Sequence, residues 1–149
     1  MTRLAVVIPA LNEEASIGKV VTSVVQRGAT VIVVNDGSSD KTAEIAKAAG
    51  AIIIQHEKNR GYEPALTSGV HAAHDQGFEI AATFDADGQL DPDDLIKFMR
   101  KLDQDQSDLV VGMRDYRNRY CEYLLAWFGQ FRFGLVDPLC GLKMYRLNK

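Results

Sequence analysis

Residues 4–25 read LAVVIPALNEEASIGKVVTSVV, and this one stretch contains the whole architectural argument in miniature. Leu4–Pro9 is continuously apolar and β-branched, as a strand covered on both faces requires. The chain then turns polar through Asn12, Glu13 and Glu14. Ile17, Val20, Val21, Val24 and Val25 follow at i, i+3, i+4, i+7 and i+8, which is one face of a helix. The same strand–loop–helix grammar recurs downstream. TVIVVND (30–36) is a second buried strand, and SSDKTAEIAKAAG is a helix capped by Ser or Asp and stopped by Gly50. AIIIQH (51–56) is a third strand. Leu66, Gly69, Val70 and Ala73 line a third helix ending near Gly77. EIAATFD (79–85) is a fourth strand. Asp91 as N-cap and Pro92 at the first helical position open a fourth helix, with Leu95, Phe98, Met99 and Leu102 facing inward. DLVVGM (108–113) makes a fifth strand. Alternation with crossovers of this length predicts an α/β fold: a mostly parallel central sheet with helices on both faces.

The bulk numbers fit one such domain and exclude several function classes. At 149 residues, with 46% hydrophobic and 25% charged side chains, the chain buries a single core and shows no signature of disorder. A formal charge of −3 argues against binding nucleic acid by bulk charge. Cys121 and Cys140 lack metal-site or redox spacing, so two reduced thiols are expected. No run approaches the roughly 18 apolar residues of a membrane span. The N-terminal apolar run is closed by Pro9 and reads as a strand, not a signal peptide, so the expected location is cytoplasmic.

In open parallel sheets, ligands bind outside the carboxyl ends of the strands. Polar clusters follow the first four strands here: PALNEE, NDGSSD, HEKNRGY and DADGQ. The last is the most informative. Asp91, Asp93 and Asp94 are accounted for by capping and the helix dipole. Asp85 and Asp87 lie ahead of that cap, at the end of a buried strand, where neighbouring carboxylates repel unless neutralised. A hard divalent cation with oxygen ligands meets that need, and Gln89 offers a further neutral oxygen. Mg²⁺ or Mn²⁺ held by two or three protein oxygens keeps positions open for phosphate. In the second loop, Asp36 reads either as a turn former or as a contact to a base or ribose edge. In the third, Gly61 suits a close backbone approach, with Arg60 beside it, while His56 reads as a packing residue at a strand end. The chain lacks the glycine fingerprints of dinucleotide and P-loop sites.

VIPALNEEASI, VVNDGSSDKT, NRGYEPALTSGV, FDADGQLDPDDL and DPLCGLKMYR occur in the order found in family-2 glycosyltransferases of the GT-A fold, and the resemblance extends over essentially the whole chain. The DADGQ form most resembles the branch that makes polyprenyl-phosphate sugars, the dolichyl-phosphate mannose synthase type. The resemblance implies an inverting, metal-dependent transferase that takes a nucleotide-sugar donor and a lipid-phosphate acceptor. It places Pro9, Asn12 and Glu13 on the wall of the nucleotide pocket, Asp36 at the base, and Asp85 near the ribose and diphosphate. Asp87 and Gln89 correspond to ligands of the divalent metal, Arg114 to an arginine near the phosphates, and Asp137 to the catalytic base.

Two departures accompany the resemblance. Relatives continue beyond the D-P-x-x-G motif with helices that cover the acceptor side, whereas this chain stops at Lys149. The segment between Arg114 and Asp137 is also shorter than in close relatives, so the donor side reads as complete and the acceptor side as lacking its cover. A homo-oligomer would supply that cover, with the uncapped final strand and exposed aromatics favouring association. Residues 114–136 combine four arginines with seven aromatic residues. That composition suits either a packed interface helix or peripheral contact with an anionic membrane. Two rival readings remain from the sequence: a nucleotide-sugar-binding module or fragment without turnover, and a nucleotidyltransferase. The second would want a Gly-rich basic loop where this chain has PALNEE.

Overall fold

The computed structural model describes residues 3–112 and 141–147. Its described elements run β1 (Leu4–Ala10), α1 (Ile17–Val25), β2 (Thr30–Asn35), α2 (Thr42–Ala48), β3 (Ile52–Gln55), α3 (Tyr62–Asp75), β4 (Ile80–Thr83), α4 (Asp93–Gln104), β5 (Leu109–Val111) and β6 (Lys143–Arg146). The predicted strands and helices are all present, with boundaries shifted by a residue or two. Asp91 illustrates such a shift. Its carboxylate accepts from the Asp93 N–H at 2.9 Å, but the N-cap is Pro92 and the first helical residue is Asp93, one position later than expected.

The six described strands form one sheet in the order β3-β2-β1-β4-β6-β5. β1, β2, β3 and β4 pair in parallel, and β6 lies antiparallel to both β4 and β5. The sheet is therefore mostly parallel. The final described strand is interior to the sheet and not an edge, which corrects the expectation that it stands uncapped. Its hydrogen-bonding groups are used on both sides, and among the described strands β3 and β5 are the edges.

Alternation along β1 and β2 sends side chains to two separate cores. Val6, Ile8, Val31 and Val33 face Ile17, Val20, Val21 and Val24 of α1, Ala46 of α2, and Leu95 and Leu102 of α4. On the opposite face, Val7 and Val34 meet Ala65 of α3, while Ala5 and Ile32 meet Ala73 of the same helix. The buried stripe of α3 is thus Ala65, Gly69 and Ala73 at i, i+4 and i+8, with Leu66 and Val70 partly buried at its side. Small residues let this helix lie close on the sheet. A Cβ at Gly69 would stand 2.3 Å from Val7 Cγ1 and 2.9 Å from Val34 Cγ2. That close seating brings the first turn of α3 up to the carboxyl ends of β1 and β2.

Candidate active site

β1, β2, β3 and β4 run in the same direction and end at Ala10, Asn35, Gln55 and Thr83, so the loops after them share one edge of the sheet. The connections diverge at β1, with β2 on one side and β4 on the other. Such a switch point opens a crevice above the strand ends. A cavity of ≈ 440 Å³ occupies it. Pro9, Glu13, Asp36, Gly61, Asp85 and Asp87 all line this cavity, joined by Asn59 and Tyr62. The structure brings together residues from four loops that are as much as 78 positions apart in the chain (87 − 9, Pro9 to Asp87).

The first two loops are laced to each other. Asn12 sits at φ 56, a left-handed conformation that asparagine tolerates. Its N–H donates to Ser38 Oγ at 3.0 Å, and its Oδ1 accepts from the Ser39 N–H at 2.9 Å. The Glu13 N–H donates to Thr42 Oγ1 at 2.8 Å. Asp40 accepts the N–H groups of Thr42 and Glu14, so it joins the start of α2 to the end of the first loop. Asn12 therefore supports the pocket wall from behind, and it is Pro9 and Glu13 that face the cavity.

Asp36 is a buried carboxylate with a full set of donors. His56 Nδ1–H donates to its Oδ1 at 2.7 Å, and the Gly61 N–H donates to Oδ2 at 2.8 Å. The Arg60 N–H reaches both oxygens, at 3.0 and 3.1 Å. Burial on its own would raise the Asp36 pKa. The His56 bond and the two amides outweigh it and hold the carboxyl below its ordinary value. His56 is itself buried, with Nε2 3.1 Å from Ser68 Oγ on α3. This arrangement fixes the turn over Asn59–Gly61 and the entry to α3. Gly37 permits it, because a Cβ there would stand 2.6 Å from the Asn59 backbone nitrogen, and its φ of +77° also favours glycine. His56 packs as predicted, but its partnership with Asp36 is an additional role that the sequence pattern does not signal.

The acidic loop is built differently. Asp85 is half-buried just past β4, and Asp87, Gly88 and Gln89 are exposed. Asp87 Oδ1 accepts the Gln89 N–H at 2.9 Å, and among the described residues no basic side chain is ion-paired to Asp87. Gln89 enters this contact through its backbone. Tyr62, at the start of α3, places its hydroxyl 3.4 Å from Asp85 Oδ1. Burial, followed by the negative charge of Asp85, pushes the Tyr62 phenol well above its ordinary pKa, so the hydroxyl stays protonated and donates. Tyr62 was not singled out from sequence, where its place directly after the loop glycine was the available signal. Arg114 and Asp137, predicted for the phosphates and for catalysis, lie outside the described residues.

Asp85 and Asp87, on one cavity, are hard oxygen donors of the kind Mg²⁺ and Mn²⁺ take. Among the described residues no group of three or more His, Cys, Asp or Glu is arranged to hold an ion. The donor set fits a cation whose coordination is completed by a diphosphate. No described helix is long and apolar enough to cross a membrane.

Residues 5–122 match the family profile described as Glycosyl transferase family 2. The UDP-N-acetylglucosamine–dolichyl-phosphate N-acetylglucosaminyltransferase of Methanococcus voltae is 36% identical over 72% of this chain and 50% of its own length. The dodecaprenyl-phosphate galacturonate synthase of Rhizobium johnstonii is 29% identical over 97% of this chain and 48% of its own. Among solved structures, glucosyl-3-phosphoglycerate synthase from Mycobacterium tuberculosis in complex with Mn²⁺, UDP-glucose and glycerol 3-phosphate superposes with a TM-score of 0.80 at 25% identity. The match covers 97% of this chain and 57% of that one. The expected GT-A architecture is thereby met. The chain spans about half the length of the curated relatives it matches.

Proposed function

The chain belongs to glycosyl transferase family 2, and from that premise we propose that it moves a sugar from a UDP- or GDP-sugar to a polyprenyl phosphate, with inversion at the anomeric carbon. One observation carries this reading. Asp36, Asp85 and Asp87, from the loops after β2 and β4, line a single cavity at the strand switch point, and a nucleotide diphosphate with its counter-ion fits that combination. The acceptor class is supported by the two relatives named for dolichyl- and dodecaprenyl-phosphate products.

In this reading, Pro9 and Glu13 wall the nucleotide. Asp36 holds the Arg60–Gly61 turn against it and lines the cavity beside the base. Asp85 meets the ribose and diphosphate. Asp87, with Gln89 beside it, holds Mg²⁺ or Mn²⁺. When bound, the ion takes up negative charge on the diphosphate leaving group. Arg114 supports the phosphates, and Asp137 orients the acceptor or accepts its proton. An acceptor that is already a phosphate anion needs little help from a base, so Asp137→Asn lowers turnover far less than Asp87→Ala. The basic, aromatic segment 114–136 lies against an anionic membrane surface, where a lipid phosphate would be presented.

The test is transfer of labelled sugar from a panel of UDP- and GDP-sugars to polyprenyl phosphate in vesicles containing phosphatidylglycerol, with Mn²⁺ present. Formation of a lipid-linked sugar of inverted configuration is expected. Donor binding without any transfer or hydrolysis would contradict the enzyme reading. Transfer to a soluble phosphate acceptor alone would contradict the lipid one.

A further inference from the structure

Gly141 belongs to the DPLCG segment ahead of β6, and the space beside it is taken by the acidic loop. A Cβ built there would stand 1.9 Å from Asp85 Oδ2 and 2.6 Å from Oδ1. The requirement is room for the carboxylate. Gly141 itself is held in place. Thr83 Oγ1 donates to the Gly141 carbonyl at 2.5 Å and accepts the Lys143 N–H at 3.1 Å, tying this stretch to the end of β4. Across the carboxylate, the Tyr62 hydroxyl approaches Asp85 Oδ1 at 3.4 Å. Tyr62 follows Gly61, whose N–H is held by Asp36 at 2.8 Å, so the buried Asp36–His56 pair aims the phenol.

We propose that Tyr62 and Gly141 are positioning residues for Asp85, seating its carboxylate between the first turn of α3 and the bare backbone ahead of β6 so that it faces the metal diphosphate. The proposal rests on the donor-site reading above. It gives the glycine of DPLCG a place in the donor site. A long, weak hydrogen bond suits this role, since the carboxylate must remain available to ligand while its rotamer is restricted.

Calorimetry with UDP and with GDP, each with and without Mn²⁺, tests the proposal on the wild type, Tyr62→Phe and Gly141→Ala. Tyr62→Phe removes only the hydroxyl. It is expected to weaken Mn²⁺-dependent binding about fivefold. Gly141→Ala displaces the carboxylate and is expected to weaken it by about thirtyfold or more. In both variants the ratio of affinities with and without Mn²⁺ falls. A merely structural role would instead lower both affinities together and leave that ratio unchanged. The ligand-free melting temperature of Tyr62→Phe stays within about 2 °C of wild type, so this variant decides the matter even where Gly141→Ala folds poorly. An unchanged ratio in Tyr62→Phe overturns the proposal while leaving the donor site standing. Absence of Mn²⁺-dependent binding in the wild type overturns the donor-site reading and this proposal with it.

Discussion

Two acidic loops border the same cavity, and their carboxylates are in opposite circumstances. Asp36 is buried and hydrogen-bonded by His56 and by two backbone amides. Its charge is answered within the protein. Asp87, on the loop after β4, is exposed and accepts a single described hydrogen bond, from the Gln89 N–H. Its charge is answered by solvent. The same residue type thus builds the pocket in one loop and faces solvent in the other. What separates the roles is which donors the fold delivers. The β2–β3 pairing sets His56 beside Asp36, with the His56 N–H bonded to the Asn35 carbonyl, whereas among the described residues no basic side chain is ion-paired to Asp87.

That contrast can be broken by substitution, and the largest effect belongs to the buried member. Asp36→Ala leaves His56 and the Arg60 and Gly61 amides without their acceptor. It is expected to cost on the order of 3 kcal/mol of stability, read from urea denaturation. His56→Ala removes one donor and leaves the amides in place, so a smaller loss of about 1–2 kcal/mol is expected. A loss equal to that of Asp36→Ala would mean that the amides contribute nothing.

Acid sharpens the same comparison. The Asp36 carboxyl lies below its ordinary value of 3.8 in the folded protein. A depressed folded pKa contributes stability that is fully present above the unfolded value and is lost as pH falls through the folded one. Wild-type stability should therefore decline below about pH 4 through this group, and Asp36→Asn should flatten that part of the profile. A profile that Asp36→Asn leaves unaltered would show that the pair does not carry the linkage. The smallest stability effect is expected at the exposed loop. Asp87→Ala should change the unfolding free energy by no more than about 0.5 kcal/mol, since it removes one exposed turn contact.

Much of this was legible in the sequence because it is local. Continuous β-branched runs gave way to helical periodicity at Ile17 and again at Leu95, and both transitions are where the pattern put them. Asp85 and Asp87 stood out because a strand end is an expensive place for paired charge. The long-range relationships were not legible. His56 and Asp36 are 20 residues apart, and nothing in either neighbourhood announces the other. Gly141 looked like one more motif glycine, because the carboxylate that requires its lack of a side chain lies 56 positions earlier (141 − 85). The insertion of the strand Lys143–Arg146 between β4 and β5 is likewise a long-range relationship that its local pattern does not state. The bond from the Ser39 N–H to the Asn12 Oδ1, across 27 positions, is another that neither neighbourhood announces.

The central claim is that the charge of the loop after β4 is held for a cation and a diphosphate. Calorimetric titration of UDP and GDP in the presence of Mn²⁺, on the wild type and Asp87→Ala side by side, tests it most directly. The expected result is binding of at least one nucleotide at one site per chain in the wild type, loss of its Mn²⁺ dependence in Asp87→Ala, and equal melting temperatures for the two ligand-free proteins. Binding in Asp87→Ala with the Mn²⁺ dependence intact, or no binding of either nucleotide by the wild type, would contradict it.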